Sequence, residues 1–186
     1  MAGDDEFDAI VAGLTGASAA SAAPGIAMVL TPVASAPALA GLCAMSGLRC
    51  KVLPSSTGAV AAIELVPSDD PFAELTPSAP AEAAELAGAI SRLTHAEVVL
   101  LVSKLGTDVG GETGTSGQLT AWKYDHGELT GEASPGLVLA AVDGVVEDVI
   151  LGVVALRDVA GAEDTGAIPR WKAARMFTRG LRKRKP

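Results

Sequence analysis

Residues 26–66, IAMVLTPVASAPALAGLCAMSGLRCKVLPSSTGAVAAIELV, decide the fold. Ile26–Val33 is a short apolar run and predicts a strand. Ala36–Ser46 is rich in Ala and Leu and predicts a helix, with Gly47 as its stop. Arg49–Leu53 predicts a second strand and Ala59–Val66 a third. Between them Pro54-Ser-Ser-Thr-Gly58 is a turn cluster, so the two strands read as a hairpin. Further on, Pro80–Leu93 is the clearest helix of the chain. Ser78 or a neighbour is its expected cap, and Leu86, Ala89, Ile90 and Leu93 form its buried stripe. Glu97–Leu105, EVVLLVSKL, predicts a fourth strand.

That order is βαββαβ. The expected fold class is α+β: a ferredoxin-like βαββαβ core, with an antiparallel sheet behind two helices. The strands AVAAIELV and VVLLV are apolar at consecutive positions, so both of their faces need cover. Two helices cover one face. A further strand, Gln118–Tyr124, is expected beside the fourth. A third helix is expected over Ser134–Ile150, with Ser134 capping and Pro135 at its first position. Its Leu139, Val142, Val146, Val149 and Ile150 can face the sheet, although Gly144 weakens it by about 1 kcal/mol relative to Ala. Val153–Val159 reads either as a strand or as more of that helix. A homodimer through the sheet is the other way to cover the second face.

Helical arms are expected at both ends. In residues 4–15, Phe7, Ile10, Val11 and Leu14 fall at i, i+3, i+4 and i+7, a stripe that can dock on the body or serve as a secondary partner-binding motif. Residues 16–24, GASAASAAP, are small and breaker-rich, a linker. The expected organisation is an N-terminal amphipathic arm and linker over 1–24, a single α/β domain over 25–160, and a linker with a basic amphipathic tail over 161–186. Within that last part, Ala160–Ala167 reads as linker, Pro169 as a helix start and Gly180 as a stop.

Composition narrows the function classes. Half of the 186 residues are apolar but only 3 % are aromatic, so small aliphatic side chains must build the core. Between Asp8 and Arg49 the chain carries no charge. The acidic N-terminus argues against a signal peptide. Pro24, Pro32 and Pro37 interrupt the run, which lacks the ~20 strongly apolar residues of a membrane span. Cys43 and Cys50, the only cysteines, read as buried thiols in a reducing, cytoplasmic compartment.

The charge is divided unevenly. Arg170 to Lys185, RWKAARMFTRGLRKRK, holds eight of the fourteen basic residues. The 169 residues before it hold the other six and all 22 acids, a net of −16 against +8 in the tail. On a helical wheel Trp171, Ala174, Phe177 and Leu181 share one side, beside a face of Lys172, Arg175, Arg179, Arg182 and Lys183. Arg170 and Met176 break the pattern. A short basic helix with Trp and Phe is the signature of an interfacial segment, and three readings of it compete: docking on the acidic body or a partner subunit or fraying in solvent, anchoring to the inner face of a membrane, and contact with nucleic acid.

Motifs for chemistry are mostly missing. The loop Gly106–Gly117, GTDVGGETGTSG, follows a strand as phosphate loops do, but it lacks a GK[ST] ending and a following helix. Two histidines, His95 and His126, and two cysteines match no zinc spacing. Asp125 beside His126 could imitate an acid–base pair, although neighbours on a turn usually point apart. There is no GxSxG motif.

The expectation is therefore a non-catalytic interaction or regulatory protein with no catalytic residues, metal or cofactor. It would bind a protein partner through its terminal helices, and its tail would also suit the anionic inner face of a membrane. The partner-binding residues expected in the tail are Arg170, Trp171, Lys172, Arg175, Phe177, Arg179, Leu181, Arg182 and Lys183. Two alternatives stand beside it: a small enzyme or ligand sensor with a pocket under the Gly-rich loop 106–117, and a nucleic-acid accessory bound through the tail. The acidic body disfavours nucleic acid.

Overall fold

The structure, a computed structural model, describes residues 25–66, 78–105 and 117–182. The N-terminal arm with Phe7, Ile10, Val11 and Leu14, the loop Pro67–Pro77, residues 106–116 of the Gly-rich loop, and Lys183–Lys185 lie outside them. Among the described residues the fold is mixed α+β, with one seven-stranded sheet and five α-helices.

The strands are β1 (Gly25–Leu30), β2 (Lys51–Leu53), β3 (Val60–Leu65), β4 (Val98–Leu105), β5 (Gly117–Asp125), β6 (Glu128–Glu132) and β7 (Glu163–Asp164). Their order in the sheet is β6-β5-β4-β1-β3-β2-β7, and every neighbouring pair is antiparallel. The helices are α1 (Ala36–Met45), α2 (Ala81–Thr94), α3 (Pro135–Ala141), α4 (Gly144–Ile150) and α5 (Arg170–Arg182). The four expected core strands, the hairpin of β2 and β3, and the pairing of β5 with β4 all form. Strand β6 was not foreseen. It follows a two-residue turn in which His126 (φ 50°) and Gly127 (φ 94°) both have positive φ, the geometry that suits the twist of a tight hairpin.

Local chemistry sets the helix ends. Ser35 caps α1, its Oγ accepting from the Ala38 amide at 3.4 Å, and Pro37 sits in the first turn. No side chain caps α2: Pro80 holds the cap position in place of the expected Ser78. At its other end His95 adopts the left-handed conformation. Ser91, buried in α2, donates to the Gly88 carbonyl and accepts from the Gly127 amide at 2.8 Å, so the β5–β6 turn is fastened to this helix.

The sheet separates two apolar layers. On one side Ala27, Val29, Val52, Ala61, Val98, Leu100 and Trp122 meet Leu39, Ala40 and Cys43 of α1 and Ala83, Leu86, Ala87 and Ile90 of α2. On the other side Ile26, Met28, Leu53, Val60, Ala62, Leu101 and Ala121 meet Val146, Val149, Ile150, Leu156 and Val159. The chain's own segment after β6 therefore covers the second face.

That segment is not the single helix expected over Ser134–Ile150. It breaks at Val142 and restarts at Gly144. The break follows from Asp143, whose carboxylate caps α4 by accepting from the Val146 amide at 3.3 Å. Its other oxygen accepts from the Ser56 amide at 2.6 Å and the Ser56 hydroxyl at 3.1 Å, tying the β2–β3 turn to α4. Gly144 is thus a first-turn residue, not a weak point inside a long helix. Val153–Val159 forms neither a strand nor more helix; it holds a 3₁₀ turn at Leu156–Asp158.

Asp143 gives a first expected outcome. Partial burial pushes its carboxyl up, but the donors from Ser56 and Val146 outweigh burial and hold it below the usual carboxylate value. Asp143→Ala should cost about 0.5–2 kcal/mol near neutral pH, as loss of a helix cap does. A depressed folded pKa stabilises above the unfolded value of about 3.9 and loses that contribution as pH falls through the folded value. Urea unfolding of both proteins should show the gap at pH 7 and its closure in strong acid.

Candidate partner-binding surface

The C-terminal segment is fixed to the body in three steps. First, β7 pairs with β2, Lys51 opposite Asp164 and Val52 opposite Glu163. The expected linker Ala160–Ala167 thus contains a strand and a 3₁₀ turn at Thr165–Ala167. Second, Thr165 is buried and clasps the start of β2. Its Oγ accepts from the Cys50 amide at 2.8 Å and lies within donating distance of the Leu48 and Cys50 carbonyls, at 2.7 and 2.9 Å. Its own amide donates to the Cys50 carbonyl at 3.0 Å. The hydroxyl thus accepts from the Cys50 amide and has one proton to give to either carbonyl, which ties this segment to the start of β2.

Third, α5 lies against α1. Gly41 of α1 is the seat. A Cβ there would stand 2.6 Å from the Ala173 carbonyl oxygen and 2.9 Å from the Phe177 nitrogen, closer than side chains tolerate. The missing side chain lets the two backbones touch. Ala173 is fully buried at the crossing, with Met176 and Phe177 half-buried beside it.

This rotates the helix relative to the expected stripe. Trp171 and Ala174 are exposed, Trp171 to 66 %. Met176, set aside as a break in the pattern, touches the core. The reason is steric: the seat at Gly41 fits the small Ala173 and excludes an indole. Ala173, Met176 and Phe177 stand at i, i+3 and i+4, a spacing visible in the sequence and hidden by the pull of Trp171. Gly180 does not stop the helix, which runs to Arg182. The side chains of Leu181 and Arg182, like Lys183, lie outside the described residues.

With its apolar side occupied, α5 turns the rest outward. Arg170, Lys172, Arg175 and Arg179 are exposed, and none makes an ion pair with a described carboxylate. At 100° per residue, Trp171 and Arg175 lie opposite the buried Ala173, flanked by Arg179 and Lys172. Apolar packing holds the tail on its acidic body, and no carboxylate among the described residues pairs with these four charges.

Other groupings offer less. An open groove of about 620 Å³ is lined by Ile63, Arg49, Arg92, Glu64, Glu82 and Glu85 among others, with both signs of charge mixed along it. Asp125 and His126 do converge, against expectation: Oδ1 lies 2.8 Å from Nδ1, with both side chains substantially exposed on the turn. Among the described residues no group of three or more His, Cys, Asp or Glu could hold a metal ion. No helix among them is long and apolar enough to cross a membrane. Every buried side-chain polar atom described has a hydrogen-bond partner. Comparison with protein-family models, with curated proteins and with solved structures gave no match.

Proposed function

We propose that this is a non-catalytic interaction protein whose docked C-terminal helix is its working surface, and that the partner is the anionic face of a membrane. The observation that carries the reading is the exposed part of α5, where Trp171 shares the outward side with Lys172, Arg175 and Arg179 and Arg170 stands exposed at the helix start, all free of described ion pairs. Tryptophan favours the headgroup region, and each nearby Lys or Arg contributes about 1 kcal/mol of attraction to anionic lipid. Four cations set a ceiling of about 4 kcal/mol before screening, and the basic residues at the end of the chain add to it. Opposing this is the acidic body, whose reach is limited to a Debye length of about 8 Å at physiological salt. The protein would therefore bind reversibly and in one orientation, helix down.

The scaffold in this reading is a ferredoxin-like unit. Its support is the βαββαβ order together with the central run β4-β1-β3-β2, to which β5, β6 and β7 are added at the edges. The free thiols Cys43 and Cys50 fit a reducing cytoplasm. The second sheet face, whose cover was one reason for a homodimer, is filled by Val146, Val149 and Ile150.

Co-sedimentation with vesicles tests the proposal. The full chain should pellet with phosphatidylserine-containing vesicles and stay in solution with neutral ones. High salt should release it. Replacing Arg170, Lys172, Arg175 and Arg179 by Gln together with Trp171→Ala should abolish pelleting while leaving the fold intact. Equal pelleting of wild type and variant removes α5 as the membrane-binding surface, and failure of the wild type to pellet removes the membrane reading and leaves an acidic protein surface as the partner class.

A further inference from the structure

We propose that the acidic N-terminal segment of this chain, residues 4–14, docks on the outward side of α5 and partly shields it. The helix presents two parallel strips there. Lys172, Arg175 and Arg179 stand at i, i+3 and i+7, and beside them Trp171, Ala174 and Thr178 repeat the same spacing; all of these are exposed. Arg170 adds a fourth exposed cation at the helix start. A cationic strip next to a mildly apolar one fits a partner with acids on one side and apolar groups on the other.

The N-terminal sequence has that make-up. Asp4, Asp5, Glu6 and Asp8 put four acids into five positions, a density reached nowhere else in the chain. Phe7, Ile10, Val11 and Leu14 supply the apolar side at helical spacing. No charge follows Asp8 until Arg49, so the segment carries no cation of its own to compete for these acids. Four acids face four cations that no carboxylate among the described residues takes up. The nearest rival is residues 67–77, with Asp69, Asp70, Glu74 and Phe72. It has fewer acids, is broken by Pro71, and is tied at both ends between β3 and α2.

The tether fits as well. The segment joins the body at Gly25, the first residue of β1. Ala27 and Val29 of β1 lie in the core that α1 covers, and α5 packs on α1 at Gly41. Packed helices lie about 8–10 Å apart, whereas residues 16–24 fully extended span about 30 Å. A tether this short holds the acids near α5 at an effective concentration on the order of millimolar, which favours α5 of the same chain over that of a second copy. The contact itself does not depend on the membrane reading, but its consequence rests on it. A segment seated on α5 competes with anionic lipid for the same cations, so apparent lipid binding is reduced by the fraction of molecules in which α5 is open. The full chain still binds, more weakly than it would with the acids neutralised.

Zero-length carbodiimide cross-linking of the full-length protein, as an equal mixture of isotope-labelled and unlabelled chains read by mass spectrometry, tests the contact. The expected result is an amide between Lys172 and one of Asp4, Asp5, Glu6 or Asp8, within a single chain and lost in high salt. No link from Lys172 to that segment, a link between two chains, or a link to Asp69, Asp70 or Glu74 instead would each overturn the proposal. Asp4→Asn, Asp5→Asn, Glu6→Gln and Asp8→Asn combined should make pelleting with phosphatidylserine-containing vesicles several-fold stronger. Unchanged pelleting of that variant overturns the shielding. The two readings fail separately: pelleting of the wild type without the link sinks the docking alone, and the link with neither protein pelleting sinks the membrane reading alone.

Discussion

Leu101→Ala is expected to cost about 2–5 kcal/mol of unfolding free energy, as much as Leu100→Ala beside it. The two leucines are consecutive in β4 and point to opposite faces of the sheet, and both are fully buried. Leu100 belongs to the layer under α1 and α2, and Leu101 to the layer under α4. In a sheet with one wet face, one of two neighbouring leucines would be a surface residue, worth within about 0.5 kcal/mol. Equal losses in chemical denaturation therefore report two closed cores within one chain. A Leu101→Ala cost below about 1 kcal/mol would mean that the segment after β6 does not seal the second face. A loss that depended on protein concentration would mean that a second copy seals it.

Gly41→Val is expected to lift α5 off the body while the sheet stays folded. Glycine inside a helix is normally a weakness, and replacing it with Ala gains about 0.5–1 kcal/mol. Here the sign should reverse, because the new Cβ would collide with the backbone of Ala173 and Phe177. Neither is the flexible end of a side chain that can swing away. Overpacking of this kind costs about 1–3 kcal/mol, and separating the helices removes the strain. Limited trypsin digestion measures the outcome directly: Arg170, Lys172, Arg175 and Arg179 should become far more susceptible in the variant, with the core fragment still resistant. Unchanged cleavage would show that α5 does not rest on Gly41. The variant also bears on the membrane proposal. Released, α5 would offer Ala173, Met176 and Phe177 to lipid along with Trp171, so vesicle binding should strengthen, not fail.

Strands β1 to β5 were legible because they are short apolar runs bounded by turn residues, a local pattern that β6 (ELTGE) and β7 (ED) lack. Consecutive apolar positions in β3 and β4 also announced that both faces would be buried. The tail shows where local reading stops. A helical wheel ranks Trp171 above Ala173 as an anchor because it weighs side-chain size and polarity. Docking on α1 ranks them the other way, because the seat at Gly41 admits only a methyl group. The break at Asp143 was hidden for a similar reason. Its carboxylate is committed to Ser56, a turn far away in the sequence, and that bond places a cap where a continuous helix was expected.

The sequence by itself determined the α+β class, the order of the core elements and the division of charge between body and tail. Each follows from periodicity or from counting, which neighbouring residues settle among themselves. Only the tertiary structure decided which side of α5 faces solvent and that Thr165 and β7 bind the C-terminal segment to the sheet edge. Those outcomes depend on contacts between residues remote along the chain, where steric fit at a helix crossing and the pairing of buried backbone groups outweigh local preference.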